Sequence, residues 1–111
     1  MNFNETFQKE EQQQWLEVAA GVERKITGYN DDVMMVKVRF KKDAVGVAHQ
    51  HIHTQSSYVA KGTFEVTIDN VPETLHEGDS FFVQPNLVHG VVCKEAGILI
   101  DVFNPCRMDF L

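Results

Sequence analysis

The chain has 111 residues, 43% of them hydrophobic, and a formal charge of -6. That length holds one compact core and not two, so a single domain is expected. The acidic balance argues against nucleic acid or an anionic membrane surface as the main partner, because both reward clustered Lys and Arg, and leaves room for a small anionic ligand at one local positive centre.

Residues 1–14, MNFNETFQKEEQQQ, form a polar N-terminal segment, either frayed or shaped into a short helix that leads into Trp15 and Leu16. They lack the charged-then-apolar pattern of a secretory signal. No apolar run approaches the ~20 residues that span a bilayer, and a cytoplasmic location is expected. From Val18 onward, over a barrel domain placed at 15–111, Val, Ile, Thr, Phe and Met recur in short runs separated by Gly, Asn, Asp and Pro. That rhythm belongs to an all-β fold. In DDVMMVKVRF, residues 31–40, Val36, Val38 and Phe40 alternate with Lys37 and Arg39, which assigns them to opposite faces of a strand. TFEVTIDN, residues 63–70, repeats the pattern with Phe64, Val66 and Ile68 inward. Turns are expected around Gly28, Lys41 to Ala44, Lys61 to Gly62, Asp69 to Asn70, Glu77 to Gly78, Pro85 to Asn86 and Glu95 to Gly97. About nine or ten short antiparallel strands result, and so many in so short a chain must close on themselves as a sandwich, barrel or jelly roll.

Between two of these strands, GVAHQHIHTQSSYVAKG (46–62) sets His49, His51, His53 and Gln55 at two-residue intervals. On an unbroken strand all four would project from one face. Imidazoles so placed can share a transition metal, although a water-bathed polar strand face would look the same. A metal needs a further ligand from elsewhere, and EGDSFFVQPNLVHG (77–90) offers His89 after an apolar strand and a proline turn. Together the two stretches resemble the paired motifs of the cupin family. In that register a glycine, here Gly62, follows the amide or carboxylate ligand by six intervening residues, and this selects Gln55. The resemblance therefore implies a jelly-roll β-barrel with His49, His51, Gln55 and His89 as metal ligands. His53 becomes a pocket residue, with direct ligation left open. Asn86 stands where the family usually has glycine, which Asn tolerates because it enters left-handed backbone more readily than most residues. Gln55 stands where glutamate is commoner. A neutral amide cancels none of the cation's charge, so the centre favours an anionic substrate over redox cycling.

The tail, AGILIDVFNPCRMDFL (96–111), reads first as a buried last strand, a turn at Asn104 and Pro105, and a docked aromatic end. Within it Asp101 is a lone carboxylate in an apolar run, and burying it unpaired would cost several kcal/mol, so it must face a partner, a cavity or water. Leu99, Asp101 and Phe103 share one face; Ile98, Ile100 and Val102 share the other and need cover, from a second copy in a homodimer or from the N-terminal flank. Cys93 and Cys106 are expected to be structural thiols. The run Asp-Val-Phe-X-Pro-X-Arg-X-Asp-Phe-Leu after two cupin motifs resembles the KdgF group of small cupins, over essentially the full length including the lead-in from Trp15 to Gly21. That resemblance implies an enzyme that converts 4,5-unsaturated monouronates, products of polysaccharide lyases, to linear 5-keto-4-deoxyuronates. It implies one divalent transition metal (Ni, Zn, Mn or Fe), with Asp101, Phe103 and Arg107 in the pocket.

The chemistry suits these residue types, because ring opening with enol-to-keto tautomerisation needs proton movement and charge stabilisation but no electron transfer. Asp101 is the candidate acid or base. Arg107 is the partner of the uronate carboxylate, with Phe103 and His53 beside the sugar. Metal-dependent oxygenation, a non-catalytic sugar-binding or sensing cupin, and a metal-free β domain remain as alternatives on the sequence alone.

Overall fold

A computed structural model describes residues 5–111; residues 1–4 of the polar N-terminal segment lie outside the described residues. Eight strands appear among the latter: β1 (Leu16–Ala19), β2 (Val22–Tyr29), β3 (Met34–Phe40), β4 (Val45–His49), β5 (Thr54–Ile68), β6 (Val71–Leu75), β7 (Ser80–Val83) and β8 (His89–Asn104). A short 3₁₀ turn, Glu10–Gln12, precedes them and another, Met108–Phe110, follows. All pairings are antiparallel. No helix among the described residues is long and apolar enough to cross a membrane.

The two long strands organise everything else. The first half of β8 lies between β4 and the end of β5, and its second half lies between β3 and the start of β5. Each long strand therefore belongs to both walls of the barrel. This explains why eight strands are found where nine or ten were expected. Gly28, Lys61 to Gly62 and Glu95 to Gly97, read from the sequence as turns, fall inside strands where the ladder shifts register. A bulge and a turn both call for glycine, and only the pairing partner tells them apart. At the bend, Gly62 has φ +87°, and a Cβ on it would run into the backbone oxygens of Glu95 and Ala96, just as a Cβ on Gly97 would run into that of Lys61. Glycine is required there by sterics. By contrast, the expected turns at 41–44, 69–70, 77–78 and 85–86 lie between strands, and Asn86 adopts φ +67°.

The alternation read in β3 and β5 places Val36, Phe40, Phe64 and Val66 in the interior, all at most 5% exposed. Phe40, Phe64 and Val66 join Val22, Val59, Cys93 and Leu99 in an apolar plug at one end of the barrel. Phe40 meets Phe64 edge to face at 5.2 Å, an arrangement worth about 1 kcal/mol beyond area burial. Both cysteines are free and buried. A second cluster, Ile26, Met34, Val36, Phe103 and Cys106, packs beneath the C-terminal tail.

The N-terminal flank lies on the outer faces of β2 and β3, beside β8. Glu10 pairs with Lys25 and Lys37. The Trp15 ring lies under Lys25 and Arg39; Lys37 and Arg39 stand opposite Ile100 and Ile98. Further along, Met35, Tyr58 and Phe82 stay exposed around Val102 and Ile100.

Candidate metal centre

Opposite the apolar plug, polar side chains converge. His49 ends β4, His51 lies in the connection to β5, and His89 opens β8 directly across from His49. Their ligand nitrogens lie within 4.8 Å of one another. The unbroken strand that would have aimed four side chains one way does not exist, because residues 50–53 leave the ladder. His51 reaches the cluster from a loop, held by the Asn86 amide donating to its carbonyl oxygen at 2.7 Å. His53, the last residue of the break, is not among the three and stands edge-on to His51 and Phe103.

Each ring is aimed by a carbonyl two residues away: Val47 for His49 (2.8 Å), His53 for His51 (3.0 Å) and Leu87 for His89 (2.9 Å), every contact through Nδ1. A carbonyl only accepts, so Nδ1 carries the proton and Nε2 keeps its lone pair for the centre. Burial, as the largest influence, lowers the pKa of His51 and of His89, which keeps both rings neutral and able to ligate. His89 Nε2 is buried without a hydrogen-bond partner among the described residues. Gln55, 5% exposed at the start of β5, directs Oε1 to within 2.9 Å of His51 Nε2. Its Nε2 donates the other way, to Ser57 Oγ at 2.9 Å. Two lone pairs thus face each other beside a third that is orphaned, a costly grouping in a buried place unless a cation lies among them. Three imidazoles and an amide oxygen fit one divalent transition ion, with Ni, Zn, Mn and Fe all compatible with that donor set.

From this cluster a cavity of about 160 Å³ extends along the interior, lined by Gln55, Asp101, Phe103, Arg107, Arg24 and Phe110 among others. Asp101, the lone carboxylate of the last strand, points inward and accepts the Ser57 hydroxyl at 2.6 Å. Burial pushes its carboxyl up to about 6, against smaller lowering influences from Ser57 and Arg107. Arg107 is 7% exposed. Its Nε and one terminal nitrogen donate to the two carboxylate oxygens of Asp109 at 3.0 and 2.7 Å, and the guanidinium holds the Asp109 carboxyl below the usual carboxylate range. The guanidinium also lies over Phe103 (5.0 Å) and Phe110 (4.2 Å).

Four participants do not stand out in the sequence: Ser57, Arg24, Asp109 and Phe110. Ser57 shares strand parity with Gln55 and so points inward, a signal the polar pair Ser56–Ser57 conceals. Arg24 shares parity with Val22 and Ile26, a cation on an interior face, and its guanidinium stacks on Phe110 at 3.8 Å. Asp109 and Phe110 sit beyond the last strand, where periodicity carries no information.

Comparison with known proteins agrees with this architecture. The cupin domain family matches residues 36–103. The pectin degradation protein KdgF of Dickeya dadantii (strain 3937) is 48% identical over 99 residues, 87% of this chain and 90% of that protein. An RmlC-like cupin from Shewanella frigidimarina NCIMB 400 superposes with a TM-score of 0.95 at 45% identity, covering 97% of both chains. KdgF from Halomonas sp. superposes with a TM-score of 0.93 at 37% identity, covering 97% of this chain and all of the other. The chain belongs to the cupin family and, within it, to the KdgF group.

Proposed function

We propose that this cupin is a metal-dependent enzyme that opens 4,5-unsaturated monouronates to linear 5-keto-4-deoxyuronates in the breakdown of pectin or a similar uronate polymer. What supports the reading is one observation: an inward carboxylate, a buried guanidinium and an aromatic ring share a small cavity with a neutral-donor cluster suited to a divalent ion. The resemblance to KdgF proteins over most of the chain points the same way.

His49, His51, Gln55 and His89 would hold the ion. A bound divalent ion supplies Lewis-acid polarisation of a substrate oxygen, the assistance a developing oxyanion needs. Arg107 binds the substrate carboxylate through the N–H groups that Asp109 leaves free, since the guanidinium has five donors and Asp109 takes one on Nε and one on a terminal nitrogen. Phe103 packs against the sugar ring, with His53 edge-on behind it at 6.4 Å. Asp101 takes the proton of the C1 hydroxyl as the bond between C1 and the ring oxygen breaks. The ring oxygen leaves as the C5 enolate, which becomes a ketone as C4 receives that same proton back from the Asp101 carboxyl. The step is an isomerisation and consumes no co-reactant. A carboxyl poised at about 6 is ionised enough at neutral pH to accept a proton and acidic enough to return it.

We also propose a homodimer in which a second copy covers the exposed patch of Met35, Tyr58 and Phe82. Light scattering of wild type against Tyr58→Glu with Phe82→Glu checks it: the wild type should have twice the chain mass and the variant should be monomeric. The function itself is tested by feeding lyase-generated unsaturated monouronates to the metal-loaded protein and following loss of their ultraviolet absorbance. Acceleration over the spontaneous rate is expected, and no acceleration with any such uronate would overturn the assignment.

A further inference from the structure

Ser57 lies between two groups that act in the proposed reaction, yet contacts neither a ligand space nor solvent. It is 2% exposed. Its hydroxyl accepts the Gln55 amide proton at 2.9 Å and donates to Asp101 Oδ1 at 2.6 Å, the latter distance typical of a hydroxyl bonded to an ionised carboxylate. The strand register makes the contact possible: Ser57 stands directly opposite Asp101, one rung inward from Gln55 opposite Phe103. The result is a chain with one direction, amide to hydroxyl to carboxylate.

We propose that Ser57 is a positioning residue that sets which end of the Gln55 amide faces the metal by committing its single proton to Asp101. The physical reasoning starts from donor count. A serine hydroxyl has one proton and two lone pairs. Asp101, when ionised, only accepts, so it takes the proton. Ser57 Oγ then has only acceptor capacity left for Gln55, and the amide must present its NH₂ to Ser57 and its oxygen to the histidine cluster. A flipped amide would aim N–H groups at the cation and place two acceptors against each other at Ser57. Glutamate, the commoner cupin ligand, would fail differently: its carboxylate would compete with Asp101 for the same proton. Gln55 is thus the residue that Ser57 and Asp101 together require, and the metal donor and the acid–base group are set by one hydroxyl.

The inference rests on the reading of His49, His51, Gln55 and His89 as the metal centre, and its test is separable from turnover. Ni²⁺ affinity is measured by competition with a chelating indicator on the folded full-length protein, in four forms: wild type, Ser57→Ala, Gln55→Glu and the double variant, with Ser57→Thr as the hydroxyl-retaining control. An amide has a wrong end and a carboxylate has none. Ser57→Ala should therefore weaken Ni²⁺ binding about tenfold or more in the Gln55 background, within the range known for groups that orient ligands. In the Gln55→Glu background it should leave affinity unchanged within about twofold, and Ser57→Thr should restore most of the loss. Equal losses in both backgrounds, or no loss in either, would overturn the proposal, since Ser57 would then act by packing or not at all. Failure of the uronate assay leaves these Ni²⁺ measurements intact; absence of Ni²⁺ binding by wild type would remove both the metal centre and this role for Ser57.

Discussion

The two ends of the barrel use the same strands and the same strand faces for opposite purposes. Along the inner faces of β5 and β8 the cross-strand rungs run Gln55 with Phe103, Ser57 with Asp101, and Val59 with Leu99. Gln55, Phe103 and Asp101 line the cavity, Ser57 lies behind them, and the third rung begins the apolar plug that continues to Phe64 and Cys93, with Leu99 shared between plug and cavity. A shift of two residues along one strand, from Asp101 to Leu99, moves a side chain from chemistry to packing. Stability is therefore expected to reside in the plug and activity at the mouth. Substitutions at the two ends should separate in their effects.

The largest separation is expected at Asp101. Asp101→Asn should lower turnover of unsaturated monouronate by 10²- to 10⁴-fold, roughly the full worth of a positioned acid–base group, while Ni²⁺ content after dialysis stays at the wild-type level because the new amide oxygen still accepts the Ser57 proton. Retained turnover would remove the proton-transfer role. At the other end, Phe64→Ala should reduce unfolding free energy by about 3–5 kcal/mol in urea titrations, with Ni²⁺ affinity unchanged within about twofold in the fraction that stays folded. A parallel loss of metal affinity would show that the ends are not independent.

A middle-sized effect concerns pH. The folded chain holds the Asp101 proton more tightly than the unfolded chain does, with the carboxyl moved from 3.8 to about 6. This sign is opposite to that of a salt-bridged carboxylate: between about pH 4 and about pH 6 the folded state carries the extra proton, so the contribution of this group falls as pH rises, by about 3 kcal/mol across the window. In the metal-free protein, Asp101→Asn should then be relatively more stable against wild type at pH 7 than at pH 4, as read by chemical denaturation at both values. Equal differences at the two pH values would mean the carboxyl is not enclosed. The smallest effect is expected for Arg107→Lys, which keeps the charge but loses the fork: KM for the monouronate should rise about tenfold, with kcat less affected. A fall in kcat alone would place Arg107 nearer the reacting atoms than the carboxylate.

Much of this was legible in the chain itself, for identifiable reasons. Val36, Val38 and Phe40 alternate because one face of β3 packs on the interior, and alternation survives any context. Gly62 gave the register that picks out Gln55, and the lone Asp101 stood out because an unpaired charge in an apolar strand needs a reason. The strand count was not legible, since a glycine at φ +87° signals a bulge as readily as a turn and the deciding fact is the backbone of Gly97 lying against it. Nor did parity alone carry the histidines: His51 reaches its neighbours from a loop anchored by Asn86, and a period-two pattern says nothing about a chain that has left the ladder. Ser57 and Asp109 were missed because their roles exist only through partners distant in sequence or outside any repeat, Asp101 for one and the folded-back Arg107 for the other.

The three carbonyl anchors of the histidines have a consequence for how such a pocket could diversify. Each ring takes its bearing from a carbonyl two positions away in its own segment, so the hydrogen bond that aims each donor nitrogen is written within a tripeptide. The walls, from Arg24 to Phe110, can be rewritten for a differently shaped ligand while the compass of the three histidine rings is kept within their own segments. Gln55 alone among the four lacks that autonomy, because its bearing is borrowed through Ser57 from the opposite strand.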